Sequence, residues 1–202
     1  MPAIAISGAV EGDVDEAVLK RLIGDLECFH GPIYGRKGKG FLRTRVDAYN
    51  AAAHFSRWVV LVDLDCDFLC PSGLKNDWLP VPAQMMCFRV VVQSIESWLF
   101  ADSERFSEYF SVAQVHLPNR PEDEVNPKDT LLNLAMQSRR REIRDDMLPR
   151  PGSGRRVGPA YTSRLVGFVS DIDNGWRPLV AASRSKSLQR CLSCMGRLIA
   201  LP

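Results

Sequence analysis

The sequence predicts an α/β protein with an open, mainly parallel sheet that helices flank, followed by a C-terminal helical subdomain. Through about residue 115, short apolar segments rich in β-branched residues alternate with amphipathic segments, and this alternation is typical of a parallel sheet. Beyond a proline-rich connector, HLPNRPEDEVNPK, only helical patterns remain. We therefore expect an α/β domain over residues 1–115 and a basic, mainly helical subdomain over residues 116–202.

The predicted sheet begins at the start of the chain. Residues 3–10 are small and apolar and are expected to form the first strand. Asp13, with Glu16 three residues later, is predicted to cap the helix that follows. A glycine-punctuated loop comes next, with a short strand at 32–34, and then a helical pattern over 43–55.

The central strand, at 58–62, is apolar on both faces, as expected for a strand that helices cover on both sides. A short helix is predicted after Pro71, and the β-branched segment 85–93 is predicted to be the last strand. Residues 94–110 have a helical pattern with Ser94 as its N-cap. The C-terminal subdomain is predicted to contain three helical stretches, near 127–148, 159–173 and 185–199.

The composition argues against a membrane protein. The longest apolar runs, such as WVVLV, are far shorter than a bilayer span, and the N-terminus lacks the pattern of a signal peptide. We therefore expect a cytoplasmic protein with no membrane partner. Six cysteines in a chain of 202 residues fit reduced thiols better than a disulfide framework. In an alternative that stays open, Cys66, Cys70, Cys191 and Cys194 form a four-thiolate zinc site.

Charge divides unevenly along the chain. Residues 1–119 contain 11 basic and 15 acidic side chains, whereas residues 120–202 contain 15 basic and 9 acidic ones. An acidic half joined to an arginine-rich half indicates a cation site beside a surface for a polyanion, although solvated helix faces would give the same imbalance.

Three predicted strands end in an acidic residue or precede one. Glu11 follows the first strand, Asp63 and Asp65 follow the central strand, and Glu96 follows the last. Because ligands bind at the carboxyl ends of the strands in open α/β sheets, we expect these side chains to lie together. Oxygen-only ligation without a nearby histidine suits Mg²⁺ or Mn²⁺. Each acid alone would also fit a helix start or a solvated turn, and Asp67 has at most a supporting role.

Three motifs occur in order on these elements: VEGDVDEAVL after the first strand, VVLVDLD at the central strand and SIESWLFAD after the last. The first two resemble the Toprim domain of topoisomerases, primases, small RNA-maturing nucleases and the overcoming-lysogenization-defect (OLD) nucleases. The third is similar to a helix of OLD-like and stand-alone Toprim proteins of prokaryotic, phage-directed defence systems. The stretch NPK at 126–128 also resembles those small proteins. The resemblance covers about the first 115 residues.

The resemblance implies a metal-dependent nuclease or phosphotransfer enzyme that acts on nucleic acid phosphodiesters. It implies that Glu11 is the catalytic acid or base, that Asp63 and Asp65 bind Mg²⁺ or Mn²⁺, and that Glu96 is a further metal ligand. The sequence contains no Gly-x-x-x-x-Gly-Lys-Ser/Thr stretch, so an OLD-like activity would need a separate ATPase subunit. Because no strand-passing module is recognisable, Tyr161 is predicted to pack at a helix start rather than act as a nucleophile.

The candidate nucleic-acid-binding residues are basic side chains of glycine-rich and arginine-rich segments, with one lysine after a proline: Arg36, Lys37, Lys39, Lys128, Arg139, Arg140, Arg155 and Arg156. Glycines in GRKGKG would let a phosphate approach the backbone, and an ordinary solvated loop is the alternative. Contacts from the arginines to DNA or RNA would be independent of sequence and sensitive to salt.

Two functions from different classes therefore stay open. The first is the metal-dependent enzyme. The second is a non-catalytic subunit with a Toprim-like fold that binds nucleic acid or a partner protein. The joint presence of Glu11, Asp63 and Asp65 favours the enzyme, since a binding module has no physical need for all three carboxylates.

Overall fold

The computed structural model describes residues 4–201 and contains one four-stranded parallel sheet. Its strands are β1 (Ala5–Val10), β2 (Phe29–Gly35), β3 (Arg57–Asp63) and β4 (Met86–Val91). The spatial order is β2-β1-β3-β4, with every neighbouring pair parallel. The predicted α/β class is thus confirmed. Residue 3, where the first predicted strand begins, lies outside the described residues.

Helices make up most of the remaining structure. They are α1 (Asp13–Asp25), α2 (Lys39–Ala52), α3 (Pro71–Trp78), α4 (Ile95–Ala101), α5 (Ser103–Phe110), α6 (Pro127–Met136), α7 (Arg141–Met147), α8 (Tyr161–Ser170), α9 (Pro178–Ala181) and α10 (Lys186–Ile199). Two 3-10 turns, Gln114–His116 and Pro121–Asp123, lie between α5 and α6. Among the residues described, no helix is both long enough and apolar enough to cross a bilayer.

Side chains alternate between the two faces of the sheet, and each face has its own core. On β3, Val59 and Leu61 face one core, and Val60 and Val62 face the other. Helices α2 and α3 cover the second face. The first face is larger because α1, α4 and most helices beyond residue 115 pack there. This two-sided covering explains why the central strand is apolar on both faces.

The helices of residues 116–202 pack directly on the α/β half. Helix α8 packs against α1, and α10 packs against β4. Their buried residues, such as Phe168 and Met195, belong to the same core as Leu61 of β3. The first face of the sheet is therefore covered in full only when the C-terminal helices are in place.

Several element boundaries differ from the sequence prediction. Strand β2 is longer than 32–34, and α2 begins at Lys39, so that residue lies in a helix rather than in the loop. Asp13 is the first residue of α1, the N-cap is Gly12, and no side chain caps the helix. The stretch 94–110 divides at Asp102, whose carboxylate accepts a hydrogen bond from Arg105 N and so starts α5.

The C-terminal boundaries differ in a similar way. The predicted stretch 127–148 divides into α6 and α7. Ser138 lies at the break, where its hydroxyl donates to Phe110 O (2.6 Å) and accepts from Arg140 N (3.2 Å). These local bonds compete with helix continuation. The short helix α9 follows Arg177 and starts with Pro178, and the sequence prediction missed it.

Candidate functional site

A cleft of about 1110 Å³ opens at the carboxyl ends of β1, β3 and β4. The chain order reverses between β1 and β3, because β2 lies on one side of β1 and β3 on the other. Crevices at such a reversal are the usual ligand sites of open α/β sheets. The lining includes the predicted residues Glu11, Asp63, Asp65 and Glu96. Strand polarity therefore brings these four residues to one cleft, as predicted.

Glu11 and Asp63 meet at the reversal point. The Asp63 backbone N–H donates to Glu11 Oε1 over 2.8 Å, which fixes the glutamate between the ends of β1 and β3. Burial raises the pKa of Glu11 to about 7. Burial, together with the charges of Asp15 and Glu11, also raises the pKa of Asp63 well above its ordinary value. A carboxyl group with a pKa near 7 is suited to proton transfer.

Asp15 is a fifth acid of the cleft that the sequence prediction missed. It lies in the first turn of α1, and its side chain is only 6% exposed. Burial and the charges of Glu11 and Glu96 raise its pKa to about 7. The available signal was helical spacing, since Asp15 shares one stripe of α1 with the fully buried Leu19 and Leu22.

Glu96 is held by hydroxyl groups in the first turn of α4. Ser94 Oγ donates to its Oε2 over 2.6 Å, and Tyr161 Oη donates to its Oε1 over 3.0 Å. Ser94 is the N-cap residue of α4, but its hydroxyl caps no backbone N–H. Burial and the charge of Glu96 raise the pKa of Tyr161, so its hydroxyl stays a donor. Tyr161 lies at a helix start, as predicted, with the added task of orienting Glu96.

Asp65 and Asp67 face a lysine rather than the buried acids. Lys39 Nζ lies 2.9 Å from Oδ2 of each aspartate and donates to the Leu64 carbonyl. Partial burial alone would lower the pKa of Lys39, but the two carboxylates outweigh it and raise the pKa. Lys39 thereby offsets the repulsion within the Asp-x-Asp-x-Asp run. Both aspartates are exposed at the cleft mouth.

Three buried oxygen atoms of the cleft have no hydrogen-bond partner. They are Asp15 Oδ1, Asp63 Oδ1 and Gln93 Oε1. An unpartnered buried acceptor costs free energy, which a cation or an ordered water offsets. The donors are oxygens, and Mg²⁺ and Mn²⁺ prefer such donors. The residues present therefore fit a divalent cation in donor type.

The cleft is not a preformed metal cage. Within residues 4–201, no three Asp, Glu, His or Cys side chains converge closely enough to hold a metal ion as they stand. Glu11 and Glu96 are turned toward the hydrogen-bond donors named above. Cation binding therefore requires side-chain rotations within the cleft.

The predicted nucleic-acid-binding residues lie in several places. Lys128 and Arg156 line the cleft, and Lys128 Nζ lies 4.0 Å from Glu96 Oε1. Arg36 pairs with Glu16 at 3.1 Å. The other candidates lie outside the cleft: Lys37 over the Phe41 ring, Arg139 and Arg155 exposed to solvent, and Arg140 paired with Glu142. Two basic residues of the set thus line the cleft, and a third, Lys39, contacts the exposed Asp65 and Asp67 at its mouth.

The cysteines of the alternative zinc site lie at different ends of the sheet. Cys66 lines the acidic cleft at the carboxyl end of β3, and Cys70 is exposed just before α3. Cys194 lines another cavity with Cys87, which lies near the amino end of β4. The geometry therefore does not bring the two cysteine pairs together.

Comparison with family models, curated proteins and solved structures finds no match for this chain. The Toprim resemblance consequently stays a prediction that rests on three short motifs and on the cleft in which their acids meet.

Proposed function

We propose that the protein is a Toprim-like, Mg²⁺- or Mn²⁺-dependent enzyme that cleaves or transfers nucleic acid phosphodiesters in the cytoplasm. One observation carries the proposal: Glu11, Asp15, Asp63 and Glu96 line one cleft at the strand ends, with two buried carboxylate oxygens unpartnered. Such a cluster destabilises the metal-free protein, because like charges repel and burial disfavours ionisation. A divalent cation bound by the carboxylates would offset this cost.

Glu11 is proposed to transfer the proton. Its pKa of about 7 lets it accept a proton from a water or hydroxyl nucleophile, or donate one to the leaving oxygen, near neutral pH. The hydrogen bond from Asp63 N holds Oε1, so the second carboxylate oxygen remains for the substrate. Glu11 is thus fixed in position and able to exchange a proton near neutral pH.

The cation is proposed to be held by Asp15, Asp63 and Glu96, with Asp65 nearer the mouth. When bound, it would polarise the phosphoryl group and stabilise the leaving oxygen. Tyr161 and Ser94 orient Glu96 through their hydroxyl groups.

Lys128 and Arg156 are proposed to hold the phosphate backbone. Both line the cleft, and Lys128 is more than half exposed while its ammonium stays near Glu96. The exposed Arg155 extends the same basic loop. Contacts of this kind position a polyanion without reading its sequence. We propose either DNA or RNA as the substrate. We also propose that a separate ATPase subunit is the partner in a defence system.

The alternative is a non-catalytic subunit that binds nucleic acid or a partner protein. One finding favours it: no described trio of acids is preformed for a metal ion. The two functions differ in a measurable way, because a binding subunit would retain nucleic acid in Mg²⁺ without cutting it.

The test is cleavage of end-labelled single- and double-stranded DNA and RNA with Mg²⁺ or Mn²⁺. We predict that Glu11→Gln lowers the cleavage rate about 10²- to 10⁴-fold, the usual contribution of a positioned acid or base. Asp63→Asn should also abolish the response to metal. Asp47→Asn is the matched control, since Asp47 is exposed on α2 and does not line the cleft.

The enzyme proposal fails if every substrate stays intact, both alone and with an ATPase partner. Binding without cleavage would then support the subunit. Equal rates for wild type and Glu11→Gln would instead remove Glu11 from the chemistry.

A further inference from the structure

A second cavity, of about 400 Å³, lies beside the free edge of β4, away from the acidic cleft. Its lining includes two thiols, Cys87 of β4 and Cys194 of α10, and three basic side chains, Lys75, Arg89 and Arg197. Of the described residues that line it, none is acidic. The cavity therefore combines thiols with an excess of positive charge.

Arg89 lacks a carboxylate partner. Side chains alternate along β4, so Arg89 leaves the same face as Cys87 and Val91, the face on which α10 packs. Its Nε is buried without a hydrogen-bond partner, and no carboxylate in the described part of the chain pairs with it. A partly buried guanidinium of this kind requires a nearby anion.

Cys194 can supply that anion. The neighbouring Cys87 thiol, together with the positive charges of Arg89, Arg197 and Lys75, lowers the pKa of Cys194 to about 6. Burial raises the pKa of Cys87, so Cys87 remains a thiol beside the Cys194 thiolate. A thiolate among cations with an adjacent thiol is the arrangement of an oxidisable pair.

We infer that Cys194 and Cys87 form a redox-responsive modification site, which a small peroxide oxidises to a disulfide that joins α10 to β4. The cavity gives a small oxidant access to Cys194, which is partly exposed, whereas Cys87, which also lines the cavity, is buried. Arg89, Arg197 and Lys75 stabilise the attacking thiolate. Cys191 is fully buried, does not line the cavity and lies against Met195 Sδ (4.0 Å), so it is not the proposed partner.

The chemistry balances in two steps. The Cys194 thiolate attacks one oxygen of the peroxide, the O–O bond breaks, and the departing hydroxide takes a proton to give water and a sulfenic acid. The Cys87 sulfur then attacks the sulfenyl sulfur, the S–O bond breaks, and hydroxide leaves with the thiol proton as a second water. Two thiols thus lose two electrons and two protons, and one hydrogen peroxide becomes two waters.

The test treats the reduced full-length protein with hydrogen peroxide and maps its peptides by mass spectrometry. The expected product has lost two hydrogen atoms and contains a peptide pair joined through Cys87 and Cys194. Cys194→Ser should abolish the link. Cys87→Ser should leave Cys194 as a sulfenic acid that dimedone traps. A link confined to Cys66 and Cys70, or no loss of hydrogen, would overturn the inference.

A second measurement tests whether Arg89 activates the Cys194 thiol or only packs beside it. Iodoacetamide labelling of Cys194 should be half-maximal near pH 6, against about 8.5 for a free cysteine. Arg89→Met should slow labelling severalfold at pH 6.5 but not at pH 9.5, where both proteins carry a thiolate. Arg190→Met is the control, since Arg190 is exposed on α10 and does not line the cavity. Equal rates for the two variants at pH 6.5 would exclude Arg89 as the activating group.

Discussion

At the scale of single residues, the buried acids of the cleft destabilise the folded protein when they are ionised. Burial raises the pKa of Glu11 and Asp15 to about 7, from ordinary values of 4.5 and 3.8. The folded state therefore binds protons more tightly than the unfolded state between about pH 4 and pH 7. Over that range the free energy of unfolding of the metal-free protein falls as the pH rises, and above it this contribution is constant.

This linkage yields a prediction about charge removal. Asp63→Asn should raise the melting temperature of the metal-free protein at pH 8, because one buried charge is gone, and should flatten its pH dependence. Each kcal/mol corresponds to about 2–4 °C for a chain of this size. In wild type, Mg²⁺ at a hundred times its dissociation constant should add about 2.7 kcal/mol. A fixed Mg²⁺ concentration should add more at pH 8 than at pH 5.5.

The measurement is calorimetric melting across pH, with and without Mg²⁺, and Asp47→Asn serves as the control. A wild-type protein that is equally stable at pH 5 and pH 8 without metal would contradict the prediction. So would a Mg²⁺ shift that survives in Asp63→Asn.

At the scale of elements, one buried ion pair joins the helix break to the C-terminal half. Asp102, which is completely buried, accepts hydrogen bonds from Arg177 N (3.0 Å), Nε (2.9 Å) and Nη2 (2.7 Å). Arg177 also contacts the exposed Glu104 at 2.6 Å. The pair therefore fixes the start of α5 against the residue that precedes α9.

We predict that Arg177→Met destabilises the protein by about 3–5 kcal/mol, because Asp102 is left as a buried charge without its partner. Urea denaturation measures the loss. Arg120→Met, which removes the exposed pair with Asp123, should change the free energy of unfolding by less than about 1 kcal/mol. Similar losses in the two variants would show that the Asp102 contact is no stronger than a surface pair.

At the scale of the whole molecule, the basic loop of the C-terminal half reaches the acidic cleft, because Arg156 lines the cleft and the exposed Arg155 precedes it. We predict that the double change Arg155→Met and Arg156→Met weakens nucleic acid binding and lowers the slope of log affinity against log salt by about one to two units. Fluorescence anisotropy on the Glu11→Gln protein measures binding without cleavage. Arg190→Met is the control, and a salt slope unchanged by the double variant would place the polyanion elsewhere.

The sheet and the meeting of its acids could be predicted from sequence, because strand polarity decides both. Glu11 directly follows β1, Asp63 ends β3 and Glu96 lies in the first turn of the helix after β4, so their position needs only the parallel arrangement. Asp15 was missed because several of its neighbours in the cleft, such as Glu96 and Tyr161, lie far from it in sequence. The partners of Lys39 were missed for a similar reason, since α2 starts earlier than the pattern indicated.

The contacts of the C-terminal helices could not be predicted either. Tyr161 reaches Glu96 across 65 positions of sequence, and Ser187 accepts from Trp98 Nε1 at 2.7 Å across 89. Helical periodicity fixes which stripe of a helix is apolar, but not which face of the sheet that stripe covers. The ion pair at Asp102 and the thiol cavity beneath α10 arise from this packing.

The packing of α10 on β4 also has a consequence for protein synthesis. Ribosomes deliver the four strands first, yet the side of β4 that carries Cys87 and Val91 lacks its packing partner α10 until residues 186–199 emerge. The cleft likewise lacks Lys128, Arg156 and Tyr161 until their segments are made. The nascent chain therefore carries an incomplete site and a partly open apolar face, and its core is complete only after α10 leaves the exit tunnel.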